Sequence, residues 1–335
     1  MKKFIFSIIV GLFAISAVAC AKPNFGNESG NYPQRTISFV APSGAGGGWD
    51  QTARSITKVL QTSKLVKQPM MVENKPGGGG AVFMAEYATQ FTKDNYKLLL
   101  NSPPIIINHL KKEGNSPYGY QDTTPLAQLT KDYGVYVVKA DSPIKDLPSM
   151  IKELKKNPKK YSFAGGSAPG SMDHLVSILP AYLSGIKPKD IKYISYDGGG
   201  EAMTALLGNN ADVIATDASS VSEYVKSNKV RVLGVTAPKR LDGALKNVPT
   251  LKELGMKKGE FNIWRGIFGP KEMEPSAKKY WQTKLKTLSK NPQWKKELKA
   301  KGWESDYKDA DEFSAYLKEQ SKQVKTLLKA VGMNK

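Results

Sequence analysis

The sequence predicts an α/β protein of two lobes, each built on a mostly parallel sheet with helices on its faces. One observation is recurrence. An apolar strand, a loop rich in glycine or serine and an amphipathic helix follow one another repeatedly along the chain, the alternation that βαβ units produce. Another is the pair of apolar strands at 134–138 and 230–235, which bracket the middle block and read as crossovers leaving one lobe and returning to it. The 335 residues are long enough for two ordinary domains.

Residues 1–20 read as an address rather than as fold. Lys2 and Lys3 precede an apolar stretch over 4–18, interrupted by Ser7, Gly11 and Ser16, the pattern of a secretory signal. Ala17-Val18-Ala19-Cys20 resembles a bacterial lipobox, with alanine where leucine is usual. Cys20 is the only cysteine, and its place here favours lipidation; an unlipidated cleaved signal and an uncut membrane anchor are the alternatives. Residues 21–34, AKPNFGNESGNYPQ, have the composition of a flexible tether. The expected location is extracytoplasmic, anchored by lipid to the cell membrane.

The repeating units then run in order. Ile37-Ser38-Phe39-Val40 reads as a strand, residues 43–48 as a loop, and Trp49, Ala53, Ile56 and Leu60 as one face of a helix. The second unit is Met70-Met71-Val72, then Asn74-Lys75-Pro76 and four glycines, then a helix through Tyr87. A third strand over 97–100 runs into Asn101-Ser102. In the middle block, strands at 161–164, 191–196 and 213–215 lead into loops at 165–171, 197–200 and 216–220. The chain after Pro238 is basic and reads as helical, with Phe313, Leu317, Gln320, Val324, Leu327 and Val331 forming a stripe expected to pack on the first lobe. Residues 35–133 with 236–335 then form the first lobe, and 134–235 the second.

Loops of this kind join strand carboxyl ends to helix amino ends, where first-turn N–H groups lack partners and the helix dipole favours anions. Five such junctions would line a crevice with backbone donors. Micromolar capture needs about 8 kcal/mol, and each hydrogen bond to a charged group contributes about 1.5–3 kcal/mol, so several donors suffice. The formal charge of +20, from 50 basic and 30 acidic residues, suits an anionic ligand but also anionic polymers.

Composition and motif exclude much else. One cysteine and two histidines rule out a disulfide scaffold and a Cys/His zinc site; no metal and no cofactor are expected. Gly165-Gly166-Ser167-Ala168-Pro169 fails the nucleophile elbow at Pro169, and no phosphate-binding P-loop is present. A secreted α/β hydrolase and a basic binder of anionic surface polymers remain the rival readings; nucleic acid is not an expected partner.

Three motifs carry a family resemblance. Ala41-Pro42 with Gly46-Gly47-Gly48-Trp49-Asp50, Val72-Glu73-Asn74-Lys75-Pro76 with Gly77 to Gly80 and Ala81, and Gly166-Ser167 with Gly170-Ser171 and His174-Leu175 resemble the extracytoplasmic receptors of tripartite tricarboxylate transporters, the Bug-type family. The order and spacing hold over about residues 35–335. The Gly-Gly-Gly-Trp-Asp loop and Trp264-Arg265-Gly266 are similar to the branch containing citrate receptors.

The resemblance implies a two-lobed, Venus-flytrap fold of the type II-like periplasmic-binding-protein kind, acting as a monomer. It implies capture of a small carboxylate, citrate-like or a dicarboxylate, and delivery to a transporter of one large and one small membrane subunit. Carried over, Ser43, Gly44, Ala45, Gly46, Gly47 and Gly48 face the ligand from one lobe, and Gly166, Ser167, Gly170 and Ser171 from the other. Asn101, Ser102, Gly198, Gly199 and Asp217 are further wall candidates. Asp50 is expected to cap or position its loop, since its charge would repel a carboxylate. His174 is either a ligand contact or bonded to neighbouring backbone, Trp264 either a contact or core, and Arg265 either a carboxylate clamp or a member of a surface pair.

Overall fold

The structure, a computed structural model, describes residues 32–45, 48–113, 116–196 and 198–335. The expected signal, Cys20 and the tether up to residue 31 lie outside the described residues. The tether's last three residues are docked: Trp281 Nε1 donates to Tyr32 Oη at 2.6 Å, Tyr32 Oη donates to the Asn95 carbonyl at 2.7 Å, and Gln34 N donates to Tyr96 Oη at 3.0 Å.

The first part of the chain gives β1 (Ile37–Ala41), α1 (Gly48–Thr62), β2 (Met70–Asn74), α2 (Ala81–Gln90), β3 (Lys97–Asn101), α3 (Pro104–Leu110) and β4 (Thr124–Lys139). The middle gives α4 (Leu147–Lys156), β5 (Ser162–Gly165), α5 (Met172–Leu183), β6 (Lys192–Ser195), α6 (Gly199–Leu207), β7 (Val213–Asp217), α7 (Ala218–Lys226) and β8 (Val230–Val235). The remainder gives β9 (Asn262–Gly269), α8 (Pro275–Lys290), α9 (Pro292–Lys301), β10 (Glu304–Lys308) and α10 (Ala310–Ala330).

Periodicity explains the elements. β1 is buried at every position, as a strand covered on both faces must be. In α1 the helical spacing brings Ala53, Ile56 and Leu60 to one fully buried face.

The strands form one curled sheet in the order β2-β1-β3-β9-β4-β7-β5-β6, with β10 and β8 also pairing with β4. Pairs β1–β2, β1–β3, β5–β6 and β5–β7 are parallel. The strands through the middle run antiparallel, β9 to both β3 and β4, and β4 to β7, β8 and β10. The two lobes are the two ends of this sheet, wrapped by helices, in a Venus-flytrap arrangement.

The crossover expected at 134–138 is the second half of a longer strand, sixteen-residue β4. It pairs with β9 as far as Tyr133↔Asn262 and with β7 from Gly134↔Asp217. The return lies beside it: Gly134 N donates to Thr236 Oγ1 at 2.8 Å, and Thr236 N to the Gly134 carbonyl at 2.9 Å.

The chain after Pro238 departs from the helical expectation by containing β9 and β10. β9, NIWRGIFG, is buried at seven of its eight positions. Its apolar run has no alternation to mark it as a strand, and the surrounding lysines dominate the composition. The α10 stripe is buried at Phe313, Leu317, Gln320, Val324 and Leu327, each apolar member contributing roughly 1.5–3 kcal/mol. It packs against α3, β4 and α5, so it covers both lobes rather than the first alone. No helix among the described residues is long and apolar enough to cross a membrane.

Candidate functional site

Between the lobes lies a cavity of about 690 Å³, lined by the loops that follow β1, β2, β3, β5, β6 and β7 together with Arg265 of β9. It exists because parallel strands at both ends of the sheet turn their carboxyl ends toward the same crevice.

From the β1–α1 loop, Ser43, Gly44 and Gly48 line the cavity. Ala45 does not; it is exposed beyond the wall, which corrects its expected contact. Gly46 and Gly47 lie outside the described residues. The loop is held from behind. Asn74 Nδ2 donates to the Ser43 carbonyl at 3.1 Å and to Asp50 Oδ1 at 2.9 Å, and Arg54 pairs with Asp50. Asp50 therefore positions the loop and turns its charge away from the cavity.

The β3–α3 junction supplies Ser102. Trp49 Nε1 donates to Ser102 Oγ at 2.9 Å, so the serine keeps its own proton for another acceptor. Asn101 is off the wall: its side chain is buried and accepts from Ser102 N at 2.8 Å, fixing the turn instead of meeting a ligand.

The second lobe supplies Gly166, Ser167, Ser171, Gly198, Gly199 and Asp217. A Cβ on Gly166 would lie 2.1 Å from Gly199 N, so glycine is required for the two loops to touch. Ser171, Gly198 and Asp217 immediately precede helices α5, α6 and α7, and none of them caps its helix with a side chain. Two first-turn donors are used internally, Asp173 N by Ser167 Oγ and Ser219 N by Asp132 Oδ2. The start of α6 faces the cavity without a side-chain cap, the arrangement that receives an anion.

Gly170 and His174 are not among the residues lining the cavity, and of the two readings of His174 the bond to neighbouring backbone is the one found. Gly170 N donates to His174 Nδ1 at 2.8 Å. Burial holds the His174 pKa down at about 4, so the ring is a neutral backbone acceptor. Trp264 is core. Its Nε1 donates to Gln320 Oε1, and its ring meets Phe313 edge-on with centroids 5.2 Å apart. Neighbouring strand residues point to opposite faces, so Arg265 enters the cavity where Trp264 cannot.

Sequence reasoning missed part of the wall. Pro76 to Gly79, Asn108, Lys111 and Asp173 also line the cavity. The four-glycine run was a visible signal for the first of these. Lys111 gave none, being one lysine among many.

The cavity's charges are unusual for a surface so rich in lysine. Arg265 Nη2 stands 3.7 Å from Asp217 Oδ2, and Asp132 and Asp173 are buried close by. Burial pushes Asp173 up to about 7, with the Asp217 carboxylate adding to the rise. Burial, then Asp217, likewise raises Asp132 to about 7. Burial also raises Asp217, with Arg265 opposing. Near neutral pH Asp132 and Asp173 thus retain protons for much of the time and weaken their repulsion of an anion. Among the described residues no group of three or more His, Cys, Asp or Glu is placed to hold a metal.

The family model described as "Tripartite tricarboxylate transporter family receptor" matches residues 53–333. A protein of Cupriavidus necator, named "UPF0065 protein in gbd 5'region", is 30% identical over 92% of this chain and 91% of its own length. The structure titled periplasmic binding protein BugD is 26% identical with a TM-score of 0.75, covering 90% of this chain and 99% of that one. MatC of Rhodopseudomonas palustris with bound malate shares the fold, with a TM-score of 0.75, 21% identity and coverage of 89% and 100%.

Proposed function

Because the chain belongs to the tripartite tricarboxylate transporter receptor family, whose members are extracytoplasmic solute-binding proteins, we propose that it captures a small carboxylate in the inter-lobe cavity and delivers it to a tripartite transporter. The ligand is a dicarboxylate or a citrate-like tricarboxylate. The large and small membrane subunits of the transporter are the partners, and Cys20 is the lipid-bearing anchor.

One observation carries the reading: helix starts from both lobes, with Arg265 between them, converge on one cavity. Backbone N–H groups and the hydroxyls of Ser43, Ser102, Ser167 and Ser171 hold the carboxylate oxygens, and Arg265 adds a charged donor. The switch of β4 pairing at Tyr133 and Gly134, beside Thr236, supports lobes of 35–133 with 236–335 and of 134–235. These paired crossovers are the hinge about which the lobes close on the ligand. The malate held by MatC is a precedent for a dicarboxylate within this fold.

A thermal-shift screen of the purified protein against mono-, di- and tricarboxylates tests the reading, since a ligand of the native state raises the melting temperature. A shift with di- or tricarboxylates is expected. No shift with any acid, together with salt-sensitive retention on anionic polymers, would instead favour a polymer-binding surface protein.

A further inference from the structure

Lys111 follows the C-terminal end of α3 and lines the cavity, yet it is only 9% exposed. Its ammonium has no ion-pair or hydrogen-bond partner among the described residues, whereas Arg265, the other cation on the wall, faces Asp217. Burial lowers the Lys111 pKa. The stem is buried while its unpaired ammonium opens onto the cavity, so an anion entering from outside the chain would meet a cation with no partner to give up.

The backbone around Lys111 is tied down. Lys111 N donates to the Ile107 carbonyl at 2.9 Å, and Lys111 bridges to Asn334 of the C-terminal segment. Lys112 N donates to the Met333 carbonyl at 2.8 Å, and Lys335 N to the Leu110 carbonyl at 3.1 Å. The side chain then crosses toward the second lobe. At Gly170, where φ is +75°, a Cβ would sit 3.2 Å from Lys111 Cδ and 2.8 Å from Met333 Sδ. Glycine there satisfies the backbone and clears the path of the lysine stem.

Lys111 and Arg265 reach the cavity wall from different elements, the end of α3 and the middle of β9. Arg265 lies against the start of α1, where Nη2 would be 3.1 Å from a Cβ on Gly48. Trp49, next to Gly48, bonds Ser102 just before α3 begins. Lys111 lies past the other end of α3, seven residues from Pro104 and so about 10 Å along the helix.

We propose that Lys111 selects di- and tricarboxylates over monocarboxylates, its ammonium receiving a second carboxylate at the end of the cavity remote from Arg265. The inference rests on the carboxylate reading of this cavity and adds the residue that counts carboxylates. A monocarboxylate occupies the glycine loops and Arg265 and leaves Lys111 unpaired; a diacid satisfies both cations.

Isothermal titration at pH 7 tests it, using succinate, glutarate, adipate and citrate with the monomethyl esters of the three diacids. The wild-type protein should prefer at least one diacid to its monoester by about thirtyfold or more, the scale of one hydrogen bond to a charged group. Lys111→Met should abolish that preference by weakening the diacid while leaving the monoester within about twofold. Lys111→Arg, which keeps the charge, should retain the preference and guards against a folding defect in the methionine variant. Equal loss for diacid and monoester, no loss for either, or the same loss of preference in both variants would overturn the assignment. A wild-type protein that binds none of these acids would defeat the carboxylate reading itself, a result distinct from a binding-competent protein indifferent to Lys111→Met.

Discussion

Arg265 and Asp217 face each other across the cavity with Nη2 and Oδ2 3.7 Å apart, in opposition without a close hydrogen bond. The carboxylate comes from the end of β7 and the guanidinium from the middle of β9. At that separation the guanidinium keeps N–H donors for a third group, and the carboxylate keeps it from being an unpaired buried cation in the empty protein.

Arg265→Met should therefore weaken carboxylate binding by about tenfold or more, the loss of one charge-assisted bond. It should also raise the pKa values of Asp132, Asp173 and Asp217 further, since Arg265 opposes their rise. Titration calorimetry at two pH values checks both effects; unchanged affinity would place Arg265 outside the binding machinery.

The protonation of Asp173 sets a pH dependence. Its ordinary pKa of 3.8 becomes about 7 in the fold, so between those values the native carboxyl holds a proton that the unfolded chain releases. Its contribution to stability declines as pH rises from about 4 to about 7 and is constant above. His174, held at about 4 against 6.5, acts in the opposite sense over about pH 4 to 6.5. Asp173→Asn retains an acceptor for Gly166 N, which bonds Asp173 Oδ2 at 2.7 Å, and isolates the first effect. The variant should gain melting temperature over wild type progressively from pH 4 to 7, and its carboxylate affinity should fall less as pH rises through 7. Parallel curves would show that Asp173 does not titrate there.

Gly44 offers a direct probe of the loop. A Cβ there would meet nothing within 4 Å, while its backbone lines the cavity. Gly44→Val should leave the melting temperature within a degree or two of wild type, yet intrude on the ligand and weaken binding about tenfold or more. Binding with wild-type affinity would remove this loop from the site.

Trp264 should behave as core. Trp264→Phe leaves Gln320 Oε1 without the indole donor and should cost about 1–3 kcal/mol of stability, read from urea unfolding. Carboxylate affinity should hold, because the ring lies on the face of β9 opposite Arg265. A selective loss of affinity with intact stability would contradict that placement.

Strand–loop–helix recurrence made the strand and helix units at both ends of the sheet legible. These are local: an apolar alternation or a glycine cluster announces itself within ten residues. β9 was not legible, because no loop rich in glycine or serine follows it to mark a unit, as one follows the equally buried β1. Its burial depends on β3 and β4, which are far away in the chain. His174, Asn101 and Gly170 sit behind the wall through short-range bonds, Gly170 N to His174 Nδ1 and Ser102 N to Asn101 Oδ1, which loop composition does not reveal.

The order of amino acids by itself determined that helix starts rich in glycine and serine would recur in two lobes, because backbone torsion and apolar spacing are properties of short segments. Tertiary structure alone decided which charges share the cavity. Arg265, Asp217, Asp173 and Lys111 come from four separate elements, and only their meeting at one place raises the two acids' proton affinity and leaves the unpaired cation on which recognition of an anion would turn.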